Sequence, residues 1–266
     1  MTTTLAAPRA ATVRSAPARI PTSRIVGVEL RKMFDTRSGF WMMVSIVALE
    51  VIATGAVILF APDAELTYNT FAAAIGVPLA VILPMVAALS VTSEWTQRSG
   101  LTTFTLIPER DRVIRAKAVA ALLVGVVSMV AAFAVGALGN VVGTTIAGTD
   151  LVWDIAYDQV LTIVLGNILG MMLGFTLGAL IRNSSGAVVT YLVYSFVFPP
   201  LLGLLAAGQE WFRDLQPWVD FNFAQSRLFE GEMSGEAWAQ LGSATTLWLA
   251  LPLLVGVLLM RRSEVK

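Results

Sequence analysis

The sequence predicts an all-α integral membrane protein with six transmembrane helices and an N-terminal amphipathic interfacial helix. Three observations predict this fold: an apolar composition, six long apolar runs, and positive charge concentrated in alternate connecting segments. Of the 266 residues, 56% are hydrophobic and only 14% are charged, against roughly 25% charged residues in an average soluble domain. The mean hydropathy of +0.75 is typical of a chain that lies mostly in lipid.

The residue types that the sequence lacks exclude several kinds of active site. It contains no cysteine and no histidine, which excludes disulfides, thiol nucleophiles and imidazole ligands or bases. No Gly-x-x-x-x-Gly-Lys-Ser/Thr motif occurs, so the chain has no phosphate-binding loop of its own. We therefore expect a protein that is not an enzyme, with no catalytic residue, no metal site, no cofactor bound by this chain and no nucleic-acid partner.

The first 38 residues predict two different segments. Residues 1–21 are mainly Thr, Ala, Pro and Arg and lack the apolar centre of a secretory signal peptide, which predicts a disordered cytoplasmic tail. Residues 22–38 predict an amphipathic helix in the membrane interface, because apolar residues recur on one face with charged residues around the rest. That face consists of Val26, Leu30, Met33 and Phe34. The alternative is a solvated helix that leads into the first span.

Residues 39–266 predict a six-helix transmembrane domain. Each of six apolar runs is long enough to cross the ~30 Å hydrocarbon core, which takes about 20 helical residues. The runs are Phe40–Phe60, Thr70–Val91, Ala118–Gly139, Val160–Ile181, Ala187–Ala207 and Ser243–Met260. Pro78 and Pro84 in the second run, and Pro199 and Pro200 in the fifth, each remove a backbone donor, so we expect bends or breaks there.

Positive charge predicts the orientation. The N-terminal region, the segment 92–117, the turn 182–186 and the C-terminal tail hold 16 of the 18 Lys and Arg residues. Because such segments stay on the cytoplasmic side, we expect a multi-pass protein of the cell membrane with both termini in the cytoplasm. The opposite side has a long outer loop, 208–242, rich in aromatic residues, for which we expect short helices that dip into the outer leaflet.

The fourth span contains a repeat of small residues. Gly166, Gly170, Gly174 and Gly178 recur every four residues, so one face of the helix has no side chains. In a bilayer such a face lets another helix approach closely. We interpret the repeat as a tight packing surface within one subunit, with a direct role toward substrate as the alternative.

Glu50 lies midway along the first span. An ionisable group at this depth costs a few kcal/mol on insertion, so it is expected to face the protein interior and to have a partner. Two interpretations follow: a proton or cation site, or a protonated carboxyl that is hydrogen-bonded between helices. We favour the second, because the spans contain no basic residue to relay protons.

Two segments resemble the membrane subunits of ABC-2-type exporters, the ABCG-like or type V class. One is Glu29-Leu30-Arg31-Lys32-Met33 followed by Arg37-Ser38; the other is Ser93-Glu94-Trp95 followed by Arg98, Gly100, Thr103, Pro108, Arg110, Arg112 and Ala116-Lys117. The six-span layout and the aromatic outer loop are also similar to that family. Trp95 is a mild departure, because a different aromatic residue usually follows the glutamate.

The resemblance implies a mechanism. Two permease copies, by default a homodimer, would form the pathway, and separate ATP-binding subunits carrying ATP and Mg would drive export. Within the cytoplasmic loop 92–117, the helix around Glu94, Trp95, Arg98 and Gly100 would then be the coupling helix that contacts the ATPase subunit. The residues suit this role, because Trp95 can anchor an interface and Gly100 can end a helix. The alternative is that the segment 92–117 is only a solvated basic loop with no coupling role.

The substrate pathway is the last expectation. In that family it involves the second and fifth spans, and Tyr191, Tyr194, Ser195 and Phe198 form one aromatic face of the fifth span. Such a face suits a bulky amphipathic or apolar substrate that is drug-like or lipid-like, and it equally suits packing against another helix. The alternative function is an ATP-independent channel-like or structural membrane protein. Membrane lipid is an expected partner in either case.

Overall fold

A computed structural model describes residues 20–96, 109–231 and 233–262, with the side chains of 261 and 262 excepted. Every regular element in these ranges is helical. The helices are α1 (Thr22–Asp35), α2 (Arg37–Phe60), α3 (Tyr68–Thr96), α4 (Arg110–Ala147), α5 (Tyr157–Ile181), α6 (Ser184–Phe196), α7 (Phe198–Gly208), α8 (Glu210–Val219), α9 (Phe221–Glu230), α10 (Gly235–Thr245) and α11 (Leu251–Arg262). A 3₁₀ turn spans Asp63–Glu65, and a π-helical turn, Thr246–Ala250, joins α10 to α11.

Six helical spans are long and apolar enough to cross a membrane. They are α2, α3, α4, α5, α6 with α7, and α10 with the π-helical turn and most of α11. The predicted all-α, six-span fold is therefore confirmed, and the chain is a multi-pass membrane protein. The predicted tail at 1–21 lies almost wholly outside the described residues.

Several helices extend beyond the apolar runs that predicted them. α4 begins at Arg110, within the segment predicted as a loop, and α10 begins at Gly235, within the predicted outer loop. The apolar run marks only the part of a helix suited to hydrocarbon. Good helix formers continue the helix beyond that part: Arg and Lys in α4, and Ala, Glu and Gln in α10. The connection between α3 and α4 is correspondingly shorter than predicted and comprises residues 97–109.

The prolines of α3 do not break it. The helix runs continuously from Tyr68 to Thr96 with Pro78 and Pro84 inside. Since Pro84 has no N–H, the carbonyl of Ala80, one turn earlier, loses its helical donor. The Tyr191 hydroxyl of α6 donates to that carbonyl at 2.7 Å. A neighbouring helix thus satisfies the freed carbonyl, which explains why a helix with an internal proline persists here.

The fifth span is interrupted, as its prolines predict. α6 ends at Phe196 and α7 begins at Phe198, and Val197 between them caps both helices. Pro199 and Pro200 occupy the first turn of α7, where a missing N–H leaves no helical hydrogen bond unmade. The break at Val197 therefore precedes Pro199 by two residues.

The glycine face of α5 packs against α3 and α9. A Cβ added at Gly174 would lie 2.0 Å from the carbonyl oxygen of Pro84, and one at Gly178 would lie 2.8 Å from that of Ala88. A Cβ added at Gly166 would lie 2.8 Å from the ring of Phe229. At these three positions the repeat therefore lies in close contact with other helices of the chain.

α1 packs differently from its predicted apolar face. Its buried residues are Ile25 and Glu29, whereas Phe34, predicted on the apolar face, is 48% exposed. Leu30 and Met33 are partly buried against the core. The face that turns inward is therefore rotated toward Glu29, because the carboxylate of Glu29 has cationic partners in the interior.

The outer segment contains the short helices predicted for it. α8 and α9 lie between the fifth and sixth spans, and α8 is hydrogen-bonded to the sixth span. The Trp248 indole donates to the carbonyl of Val219 at 2.8 Å, and the Ser243 hydroxyl donates to that of Trp218 at 2.9 Å. The insertion of these helices into the outer leaflet stays a prediction.

Candidate functional site

The segments that hold most of the positive charge meet at one end of the helical bundle, called here the basic end. It is formed by α1, the end of α3, the beginning of α4, the turn between α5 and α6, and the end of α11. Contacts between these segments join Arg112 to Ile20 and Thr22, Lys117 to Glu29, Thr96 to Ser184, and Arg110 to Met260. A shared end is what the charge distribution requires of segments on one side of a membrane.

Four charged residues at the basic end form one ion-pair network, called here the four-charge cluster: Glu29 and Lys32 of α1, Glu94 of α3 and Lys117 of α4. The Lys117 ammonium group lies 2.6 Å from Glu29 Oε2 and 3.3 Å from Glu94 Oε1. The Lys32 ammonium group lies 2.7 Å from Glu29 Oε1 and 2.9 Å from Glu94 Oε1. Each lysine therefore bridges both glutamates, and the cluster connects three helices.

Three of the four residues are deeply buried. Glu29 is 4% exposed, and Glu94 and Lys117 are each 2% exposed. Buried charges are unfavourable unless they are paired and hydrogen-bonded. Lys117 also donates to the carbonyl of Ser90 at 3.0 Å, so its ammonium group has contacts on α1 and α3. The formal charges of the four groups sum to zero, which makes the burial of three of them acceptable.

Lys32 is the most accessible member of the cluster. Its side chain is 39% exposed. Partial burial acts to lower the pKa of Lys32, but hydrogen bonds and charge attraction from Glu29 and Glu94 outweigh it and raise that pKa above its ordinary value of 10.5. The lysine is therefore held in its charged form by the two glutamates.

Hydroxyl groups connect α3 to α6 beside the cluster. The Ser184 hydroxyl lies 2.9 Å from those of both Thr92 and Thr96. The Thr96 hydroxyl also accepts from the backbone N–H of Ser184 at 3.3 Å, at the beginning of α6. The end of α3 is thus linked to α1 and α4 by charges and to α6 by neutral hydrogen bonds.

The structure places the predicted coupling residues in different environments. Glu94 is buried inside the four-charge cluster, so its carboxylate faces α1 and α4, not an open surface. Trp95 is half-buried and packs against the core. Arg98 and Gly100 lie outside the described residues. Within the described residues, Glu94 is paired with two lysines, Lys32 and Lys117.

The aromatic face of the fifth span is largely a packing surface. Tyr191 and Tyr194 are buried, 5% and 7% exposed, while Ser195 is intermediate and Phe198 is exposed. The Tyr194 ring lies 5.1 Å from that of Trp248 in the sixth span, measured between centroids. The Tyr191 hydroxyl donates to the Ala80 carbonyl, and the Tyr194 ring packs against Trp248, so both side chains have contacts within the chain. Only the exposed side of this face is open to a substrate.

Glu50 is buried, as expected of an acid in a span. It is 2% exposed, and its Oε1 atom has no hydrogen-bond partner among the residues that the structure describes. The interhelical hydrogen bond favoured from the sequence is therefore not formed by this oxygen within the described ranges. Its hydroxyl-bearing neighbour, Thr54, donates to the Glu50 backbone carbonyl at 2.8 Å, not to its carboxyl.

Sequence reasoning did not identify Glu29, Lys32 and Lys117 as partners of Glu94. The pairing of Lys117 with Glu29 spans 88 residues, so no periodicity within a helix reveals it. One signal was available: Lys117 directly precedes the third apolar run, and Glu29 lies among the apolar residues of an amphipathic helix. Charged groups at such positions need partners in the interior.

Comparison with known proteins does not extend this description. No protein-family model matches the chain, and no curated protein matches it either. The fold and the basic end define a class, a multi-pass helical membrane protein with a buried ion-pair network at one end. Any narrower function is a proposal.

Proposed function

We propose that this protein is the permease subunit of an ATP-driven exporter of the ABC-2 type. It moves a bulky amphipathic or apolar substrate outward, and a separate ATPase subunit supplies ATP and Mg. Two copies form the pathway, in the cell membrane, with both termini in the cytoplasm. The chain itself hydrolyses nothing.

The four-charge cluster is the observation that supports this proposal. The two segments that carry the family resemblance, around Glu29 and around Glu94 to Lys117, are far apart in the sequence. In the structure they are in direct contact through the cluster. A resemblance spread over two distant segments is more persuasive when the same residues form one buried site.

The position of the cluster suits a coupling role. Glu94 and Lys117 lie on either side of the segment 97–109 that connects α3 to α4. A force applied to that segment by an ATPase subunit is transmitted to α3 and α4 together, and through Glu29 to α1. In this proposal Arg98, Gly100 and Trp95 contribute the contact with the ATPase, and Glu94 positions the end of α3.

The proposal is tested by purifying the tagged protein from its native membrane with associated chains. We expect a second chain containing a Gly-x-x-x-x-Gly-Lys-Ser/Thr motif, identified by mass spectrometry, together with ATP hydrolysis. Arg98→Ala is expected to lower the recovery of that chain, because it removes a charged contact from the connecting segment. Arg213→Ala, at the opposite end of the molecule, is the matched control and is expected to leave recovery unchanged.

Two results would contradict the proposal. One is purification of intact wild-type protein without any chain that hydrolyses ATP. The other is equal recovery and equal hydrolysis for wild type and for a Trp95→Ala, Arg98→Ala double variant that melts at the wild-type temperature. Ion conductance of the purified protein in liposomes would then favour the channel-like alternative.

A further inference from the structure

A cavity of about 230 Å³ lies at the basic end, beside the four-charge cluster. Its walls come from α1, the first turns of α2, the last three turns of α3 and the first residue of α6. Its lining includes Glu29, Lys32, Ser38, Met42, Leu89 and Ser93.

The cavity is polar at one end and apolar at the other. Ser38 is the second residue of α2, and Met42 lies one turn further along it, away from the basic end. α3 runs in the opposite direction, so Leu89 lies one turn further from the basic end than Ser93. Hydroxyl groups and the Lys32 ammonium group are therefore nearest the aqueous side, and methionine and leucine side chains are nearest the membrane interior.

Lys32 retains hydrogen-bonding capacity toward the cavity. An ammonium group has three N–H donors, and the carboxylates of Glu29 and Glu94 take two of them. The hydroxyl groups of Ser38 and Ser93 form no side-chain hydrogen bond with the residues that the structure describes, and both face the cavity. Lys32, Ser38 and Ser93 thus line the same cavity, together with Glu29, whose carboxylate is paired with two lysines.

We propose that this cavity binds the phosphate group of a membrane glycerophospholipid. Lys32, Ser38 and Ser93 donate to the phosphate oxygens, and one acyl chain leaves the cavity past Met42 and Leu89 into the bilayer. The lipid would belong to the leaflet at the basic end, which the charge distribution assigns to the cytoplasmic side. Of the three contacts, the charge-assisted hydrogen bond from the Lys32 ammonium group to the phosphate is the strongest at neutral pH.

The size of the cavity argues for a lipid and against a soluble phosphate ester. At about 230 Å³ it is smaller than the roughly 300–1,000 Å³ that encloses a drug-sized ligand, so it holds a headgroup phosphate and the beginning of a chain. The remaining lipid lies outside, in the bilayer. The acyl chain of a lipid would contact the apolar wall beside the phosphate-binding residues, whereas a soluble phosphate ester has no apolar chain to contact that wall. This proposal does not depend on the proposed exporter function.

The test measures retention of phosphatidylglycerol by detergent-purified, delipidated protein with native mass spectrometry. Wild type is expected to retain one molecule per chain. Ser93→Phe, which fills the cavity, and Lys32→Gln, which removes the charge, are each expected to lower the apparent affinity about tenfold, the equivalent of one charge-assisted hydrogen bond. Val51→Phe, on the exposed side of α2, is the matched control and is expected to retain the lipid as wild type does.

Ligand comparisons separate the sources of the phosphate. Diacylglycerol, which lacks the phosphate, is expected to bind about tenfold more weakly than phosphatidylglycerol, and glycerol phosphate is expected not to displace the lipid. Equal retention by wild type and a Ser93→Phe variant with a wild-type melting temperature overturns the proposal. Equal binding of diacylglycerol, or displacement by millimolar glycerol phosphate, overturns it as well.

Discussion

The second and fourth spans, α3 and α5, have 44% of their most apolar stretch buried, against 11% for the fifth span, built from α6 and α7. Yet α5 and the fifth span have nearly equal mean hydropathies, 2.0 and 1.9. What differs is side-chain size: α5 presents glycines to α3, whereas the fifth span exposes large residues such as Phe196 and Leu204. Because lipid is as apolar as these side chains, small residues and polar partners decide which spans become central.

The largest loss of stability among the central helices is expected when one charge is removed from the four-charge cluster. Lys117→Met leaves Glu29 and Glu94 with one cation between them, and loss of one partner of a buried ion pair costs about 3–5 kcal/mol. We expect the free energy of unfolding in detergent to fall by that amount. Arg115→Met, at an exposed position two residues earlier, is the control and should change it little.

A second substitution sharpens this result. Adding Glu29→Gln to Lys117→Met restores the balance of charge, so the double variant is expected to lose less stability than the sum of the two single losses. Additive losses would show that the charges act independently and would contradict the description of a network.

Gly174→Ala tests the close contact between α3 and α5. The added methyl group would lie 2.0 Å from the Pro84 carbonyl oxygen, so the helices must separate; overpacking of this kind costs about 1–3 kcal/mol. In the fifth span, a Cβ at Gly203 meets nothing within 4 Å. Gly203→Ala is therefore expected to be neutral or slightly stabilising, and equal losses at both positions in a denaturant titration would remove the contrast between the two spans.

Tyr191→Phe tests the hydrogen bond that the fifth span donates to the Ala80 carbonyl of the second span. The variant leaves the Ala80 carbonyl without a donor, which costs about 1 kcal/mol. Tyr157→Phe, at a position 79% exposed, is the matched control. A hydroxyl removed from Tyr157 should not alter the melting temperature, and an unchanged melting temperature for Tyr191→Phe would mean that another group satisfies Ala80.

The smallest expected effect is alkaline and comes from Lys32. Its pKa is raised above 10.5 in the folded protein by Glu29 and Glu94, so the stability that it contributes is fully present below pH 10.5. That contribution is lost as the pH rises through the raised pKa. We expect the difference in melting temperature between wild type and Lys32→Met to shrink above pH 10.5; a difference independent of pH would contradict the assignment.

Much of the fold follows from local sequence, and much of the site does not. Six apolar runs predict six spans because hydropathy is a property of consecutive residues, and the glycine repeat of α5 predicts a close crossing for the same reason. The partner of Gly174 and the donor to Ala80 come from other helices. The cluster joins residues 29, 94 and 117, whose proximity depends on how three helices pack, and periodicity within any one of them carries no information about the other two.

The separation between Glu29 and Lys117 has a consequence for biosynthesis. Glu29 precedes the first span, and Lys117 lies at the beginning of the third. While the first two spans enter the membrane from the ribosome, Lys117 has not yet been translated, so Glu29 and Glu94 share one cation of the cluster, Lys32. The junction of α1, α3 and α4 can therefore close only after the third span has been made, and a nascent chain that stops earlier retains one carboxylate of the cluster in excess over its cations.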